Sequence, residues 1–169
     1  MSTVYYESVF KKLNKARVRY VVAGGIAMVL HGVVRLTADL DIIVDMAPRN
    51  VEKFIRAMEA LGYRPRIPVE AMDFADPAKR ELWMKEKGIQ VLTFFHPKRA
   101  LELVDVFTRE LLPFSDLYKD RKIVSARSVK VPIVSIKHLK RLKRIAGRPQ
   151  DLADIESLRN LEAIRRKEG

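Results

Sequence analysis

Apolar positions in this chain recur with two periods, and the switches between them mark its elements. Tyr6, Val9, Phe10 and Leu13 fall on one helical stripe and predict a helix over 4–15. Arg19-Tyr20-Val21-Val22-Ala23 predicts a strand, which Gly24-Gly25 breaks. Ile26 to His31 predict a short apolar helix that ends at Gly32. Residues 39–45, DLDIIVD, alternate as a strand does. Pro48 opens a helix whose buried face is Val51, Phe54, Ile55, Met58 and Leu61, with Gly62 at its C-terminal cap. Ile89–Phe95 and Leu101–Phe107 predict two strands, with His96-Pro97-Lys98-Arg99 turning them into a hairpin. Ile123–Val134 has β character. Ser135 is placed to cap a helix over 136–146, Gly147 ends it, and Pro149 starts the last helix.

One stretch resists this reading. Pro65, Pro68 and Pro77 punctuate residues 64–87, and only 78–87 has a helical pattern. The stretch is a lid or an insertion, and its Met72, Phe74 and Trp83 either line a cleft or pack. Taken whole, the pattern predicts an α+β fold with a small mixed sheet of four or five strands and helices packed on it. A core over 1–115 would carry the site. A basic strand-and-helix extension over 116–169 would pack on that core as one compact unit.

Composition narrows the class. Of 169 residues, 48% are hydrophobic, enough for a core, and there is no repeat or low-complexity tract. The longest uncharged apolar run, Tyr20 to Val34, is shorter than the ~20 residues a membrane helix needs. Met1-Ser2-Thr3-Val4-Tyr5 lacks the basic-then-apolar form of a signal peptide, and no cysteine is present. These features predict a soluble cytoplasmic protein without thiolate metal sites or membrane contact. The net charge of +12 is uneven: residues 119–169 hold 15 Lys/Arg against 6 Asp/Glu. That excess suits a polyanionic partner, nucleic acid or nucleotide phosphates, or else a solvated basic face.

The candidate chemistry is acidic. On a strand, Asp39, Asp41 and Asp45 project to one face while Leu40, Ile42 and Val44 project to the other. Neighbouring carboxylates repel, which costs stability unless a cation lies between them. Mg²⁺ suits one or two carboxylates together with substrate phosphates. Asp105 stands alone in the apolar run Leu103-Val104-Asp105-Val106-Phe107 and needs a partner or a metal. If its strand lies beside 39–45, three carboxylates converge as two-metal catalysis requires. The plain alternatives are solvated strand ends for the pair and an Arg partner for Asp105. Gly24-Gly25 lets backbone approach a ligand, and a helix start offers N–H groups to phosphate. It also serves as an ordinary strand-to-helix turn.

Ala23-Gly24-Gly25, a short helix, then Asp39-Leu40-Asp41-Ile42 resembles the signature of the polymerase-β-like nucleotidyltransferase superfamily. More narrowly, Arg35-Leu36-Thr37-Ala38 ahead of the acidic pair resembles the AbiEii-type branch, which includes toxins of toxin–antitoxin systems. The resemblance runs over 18–107 and 130–158. It implies the nucleotidyltransferase fold and transfer of an NMP from an NTP to an acceptor hydroxyl of tRNA, a protein or a small alcohol. It further implies that Gly24 and Gly25 hold the triphosphate and that Asp39, Asp41 and Asp105 bind two Mg²⁺, with Asp105 helping to deprotonate the hydroxyl. Arg35 and Thr37 would contact phosphate or support the acidic strand. A cognate toxin or antitoxin is the implied protein partner. The Gly-Gly pair departs from the Gly-Ser of minimal antitoxin-type relatives.

The C-terminal helices add one anomaly. Ile136, Leu139, Leu142 and Ala146 form an apolar arc, and Lys143 falls inside it. In the next helix Leu152, Ile155 and Leu158 form the arc, Asp151 falls within it and Asp154 at its edge. Lys143 and Asp151 either staple the two helices or, by the AbiEii-type likeness of Lys143, Arg148 and Asp151-Leu152-Ala153-Asp154, present Lys143 to phosphates with Asp151 orienting it. The outer basic face would then guide RNA through its phosphates. No GxSxG, P-loop or HExxH pattern occurs, and His31, His96 and His138 are scattered as structural or surface residues. The rival reading is a non-catalytic, nucleotide-binding regulatory partner of antitoxin type, which leaves three retained acids without a task.

Overall fold

The computed structural model describes residues 6–169. Helix α1 spans Glu7–Lys15, strand β1 Tyr20–Ala23, helix α2 Gly24–His31, β2 Leu40–Val44 and α3 Pro48–Ala60. The remaining elements are β3 (Arg64–Pro65), α4 (Pro77–Lys87), β4 (Val91–His96), β5 (Arg99–Phe107), α5 (Phe114–Lys119), β6 (Lys122–Ala126), β7 (Val129–Ile133), α6 (Ile136–Ala146) and α7 (Pro149–Glu168). Residues 4 and 5 of the predicted first helix, Tyr5 included, lie outside the described residues.

The mixed fold holds, but the sheet is larger than the pattern suggests. Among the described residues it has seven strands in the order β3-β4-β5-β2-β1-β7-β6. Two causes account for the difference. Ile123–Val134 does not run straight: Arg127, at a φ of 58°, turns it into the antiparallel hairpin β6–β7. The proline-punctuated stretch also contributes β3, which pairs antiparallel with β4. β7 then pairs parallel with β1, so the C-terminal third completes the same sheet.

One face of the sheet is buried. Leu40, Ile42, Val44, Leu92, Phe94, Val104 and Val106 are fully shielded there. Phe54 of α3 meets Phe94 edge-on at 5.9 Å between ring centroids. Tyr6, just ahead of α1, and Val9, Phe10 and Leu13 within it join this layer at full burial, as their spacing predicts. Met72 packs against the core, and Phe74 and Trp83 lie buried with nearly parallel rings 6.4 Å apart. The stretch 64–87 is therefore in large part packing.

Two details differ in the last helix. Leu152 is 57% exposed, whereas Asp151 and Asp154 are 1% and 3% exposed. The buried face is Asp151-Asp154-Ile155-Leu158, a helical stripe about 100° wide, and Leu152 lies about 60° beyond its Ile155 edge. Both acids, rather than the leucine, therefore face inward.

Two polar residues fix the two ends of β2. Tyr6, fully buried, shares its hydroxyl proton between the carbonyls of Ala38 and Leu103, tying the residue before Asp39 to β5. At the other end Asp45 accepts from Arg19 Nε at 2.9 Å and from the Ala47 N–H at 3.0 Å, a strand-end role away from the acids. Tyr6→Phe should cost about 1–2 kcal/mol, since two carbonyls lose their buried donor. Chemical denaturation checks this, and an unchanged midpoint would show that the pin contributes nothing.

Candidate active site

The site grows out of strand register. β2 lies antiparallel to β1, with Ala23 opposite Asp41, and parallel to β5, with Asp41 opposite Asp105. Residues in direct register share a face, about 4.8 Å apart between strands. Asp41 and Asp105 therefore stand side by side on the face away from α3. Asp39 precedes β2 and is exposed at its entry. Among the described residues no three His, Cys, Asp or Glu side chains are gathered into a ready-made metal cage. The donor set nonetheless suits a hard cation, since it consists of carboxylate oxygens whose repulsion nothing nearby fully offsets. Burial, then Asp105 and Asp39, push Asp41 up to about 7. Asp39 is raised too, first by the partial desolvation of its carboxyl among the neighbouring groups despite the residue's exposure and then by Asp105, while Arg66 opposes the shift.

Gly24 and Gly25 are not a loop before a helix; they form the first turn of α2, which has no side-chain cap. Gly24 sits at a φ of +64°, and a Cβ there would lie 2.0 Å from Asp41 Oδ2. The bare backbone thus leaves room for the carboxylate. At Gly25 a Cβ would meet Thr37 Oγ1 at 2.5 Å and Arg35 Nε at 3.1 Å. The segment carrying Arg35 and Thr37 therefore lies directly on the glycine turn.

Arg35 is paired with Asp154 of α7. Lys143 Nζ lies 2.8 Å from Asp154 Oδ2 and 3.5 Å from Asp151 Oδ1, with only 11% of its side chain exposed. The Asp154 contact is one of charge: Oδ2 accepts no aligned hydrogen bond and Arg35 Nε donates none. Asp151 accepts from the backbone N–H of Arg148 at 3.1 Å and from Arg148 Nε at 2.7 Å. Those hydrogen bonds, the side-chain one first, hold Asp151 below its usual value. The inward lysine and its Asp151 contact thus both occur, and Asp154 joins them. Lys143, Arg148 and Asp151 also line a cleft of about 140 Å³ together with Gly24 and Asp41.

Residues 6–164 match the family described as "Nucleotidyltransferase of unknown function (DUF6036)". The chain belongs to this nucleotidyltransferase family. No curated protein matches it. Among solved structures, the nucleotidyltransferase resembles the lincosamide antibiotic adenylyltransferase LnuA, lincomycin-bound, at 18% identity, with a TM-score of 0.58 over 94% of this chain and 95% of that one. A nucleotidyltransferase candidate from Thermotoga maritima gives 15% identity and a TM-score of 0.59, covering 94% and 92% of the two chains. ANT(2″)-Ia in complex with adenylyl-2″-tobramycin gives 12% and 0.57, covering 98% and 95%. At such identities the likeness establishes the nucleotidyltransferase fold. No helix among the described residues is long and apolar enough to cross a membrane.

Sequence reasoning missed Thr93, whose hydroxyl donates to Asp105 Oδ1 at 2.6 Å. The register is what hid it. Continuing the pairing of His96 with Arg99 would set Thr93 opposite Glu102, but an irregularity at Phe95/His96 shifts it to Asp105. Arg66, beside the acids, falls in the stretch without periodicity and had no signal.

Two outcomes follow for the nucleotidyltransferase. A carboxyl whose folded value is raised weakens the fold as pH climbs from its unfolded value near 4 to about 7. In metal-free protein, Asp41→Asn should therefore raise thermal stability at pH 8, by on the order of 4 kcal/mol at most. The gain should shrink below pH 7 and vanish near pH 4; a pH-independent difference in melting temperature would contradict it. Gly24→Ala places a side chain at positive φ, costing about 1–2 kcal/mol, and displaces Asp41. It should lower the melting temperature and weaken NTP binding in calorimetry by at least tenfold; wild-type binding would show that the turn tolerates a Cβ.

Proposed function

We propose that this nucleotidyltransferase moves an NMP from an NTP onto an acceptor hydroxyl, with pyrophosphate as the leaving group. The register that sets Asp41 beside Asp105, against the Gly24 turn, carries this reading. Asp39, Asp41 and Asp105 would hold Mg²⁺, which supplies charge stabilisation at the reacting phosphate when bound. The chain's own groups do the rest. N–H groups of the Gly24-Gly25 turn meet phosphate oxygens at a capless helix start. Lys143 and Arg148, lining the same cleft, counter the charge of the triphosphate, and Asp151 keeps both from drifting. Asp105 retains one oxygen free of Thr93 and takes the hydroxyl proton. Arg35 and Thr37 act as supports: Arg35 is committed to Asp154, and Thr37 packs on Gly25.

The finer assignment is an AbiEii-type enzyme, supported by Arg35-x-Thr37 ahead of the acidic pair. In that setting it acts in the cytoplasm as a toxin–antitoxin component, with a cognate antitoxin or toxin as protein partner. Two fold relatives have antibiotics or an adenylylated antibiotic bound. The basic C-terminal third favours a polyanionic acceptor here instead, RNA such as tRNA ahead of a protein hydroxyl.

The test is incubation with Mg²⁺ and each labelled NTP, alone and with total tRNA. Label should move to an acceptor with wild-type protein and fall at least 100-fold in Asp41→Ala, as expected when a group stabilising transition-state charge is removed. No NTP binding with Mg²⁺, or equal labelling by Asp41→Ala, would sink the enzymatic reading and favour a non-catalytic regulatory partner.

A further inference from the structure

On β3, β4 and β5 the two faces of the sheet differ sharply. Leu92 and Phe94, and Glu102, Val104 and Val106, are buried against the helical layer. Their neighbours on the other face are not. Thr93, Phe95, Leu103 and Asp105 are half-buried, Leu101 is 86% exposed, and Arg64 and Arg66 are exposed. Phe95 and Leu103 belong neither to the core nor to the apolar residues packed on it. At the Gly24 end of the cleft, Leu139 and Leu142 of α6 and Asp151 of α7 line the wall together with Phe107.

Register sorts these exposed groups into two rows across the strands. Arg64, Phe95 and Leu103 form the first row; it ends beside Asp39, which precedes Leu40, the partner of Val104. The second begins at Arg66, whose N–H donates to the Thr93 carbonyl at 2.8 Å. It continues through Thr93 and Asp105 to Asp41. Each row thus starts with an arginine at the sheet edge, crosses uncharged side chains on β4, and reaches carboxylates on the β2 side: Asp39 in the first, Asp105 and Asp41 in the second. The edge lies two strand spacings, roughly 10 Å, from Asp105.

We infer that this open face of β3–β5 is the acceptor platform, and that it takes the 3′-terminal nucleotides of a single-stranded RNA. The inference rests on the nucleotidyl-transfer reading and names the acceptor's side of that site. Lys143 and Arg148 occupy the β1 side of the carboxylates, so the NTP lies there and the acceptor approaches from the β4 side. An acceptor crossing the rows meets guanidinium groups first, an apolar and aromatic patch next, and Asp105 last. That order matches phosphate, base and terminal ribose hydroxyl. Bases stack on exposed aromatic and apolar sheet surface, and arginines take the phosphates. A polycationic acceptor would be repelled by the same arginines.

The test is fluorescence anisotropy with a labelled ten-nucleotide single-stranded RNA over a range of salt concentrations. Among the described residues the side chains of Arg64 and Arg66 enter no hydrogen bond or ion pair and both are exposed, so Arg64→Ser/Arg66→Ser should fold normally. It should weaken RNA binding at least tenfold and lower the salt slope by about 1.4, the loss of two single-strand phosphate contacts. Arg64→Ser alone, which leaves Arg66 beside the carboxylates, should also lose RNA affinity while binding NTP with Mg²⁺ as wild type does. Full RNA affinity in the double variant, with loss only in Arg141→Ser/Arg144→Ser, would overturn the platform and place RNA on the basic outer face of α6. No RNA binding by the wild type would overturn it too. Failure of the wild type to bind NTP is a separate readout, which sinks the transfer reading while leaving the RNA comparison to decide this surface.

Discussion

The parallel pairing of β2 with β5 forces two carboxylates, Asp41 and Asp105, into adjacent positions on one face of the sheet. Like charges so placed weaken the fold, and burial of Asp41 adds to the cost. The opposite face of the same strands explains why the pairing survives. Leu40, Ile42, Val44, Val104 and Val106 are all fully buried, each contributing about 1.5–3 kcal/mol. Their sum, on the order of 10 kcal/mol, exceeds the few kcal/mol lost at Asp41. A two-sided strand can thus hold a strained acidic row because its other side is fully invested in the core.

Around that row the fold spends cations sparingly and in fixed places. Asp154 and Asp151 reach inward from α7 and tie down Arg35, Lys143 and Arg148. Buried ion pairs contribute little net stability, but breaking one strands a buried charge. Their effect here is geometric. They hold the Arg35–Thr37 segment on the glycine turn and keep Lys143 at the cleft wall. The last helix, remote in sequence from the acidic strand, therefore shapes the entry to it. The carboxylates are left flanked by positive charge on both sides, Lys143 and Arg148 toward β1 and Arg66 toward β3, which suits chemistry between two phosphate-bearing molecules.

The acidic strand, the glycine turn and the inward lysine were legible in the sequence because each rests on local periodicity. Alternation puts Asp39 and Asp41 on one face whatever the neighbouring strand is. A helical wheel puts Lys143 among Leu139 and Leu142 whatever it packs against. Asp105 was legible only as an anomaly, a charge in an apolar run. Asp154 was misjudged at the edge of its helix face because an acidic pair and a leucine compete for the same arc, and hydrophobicity alone favours Leu152.

What the chain determined by itself was thus the set of elements and the face each acid occupies, since these follow from periods of 2 and 3.6 residues. Which acids become neighbours was decided only by tertiary structure. Asp41 meets Asp105 across more than sixty residues through a parallel pairing, and Thr93 joins them through an irregularity that local spacing would place three residues away. Such contacts depend on register between strands, and register is set by how whole faces bury against the helical layer rather than by any short segment.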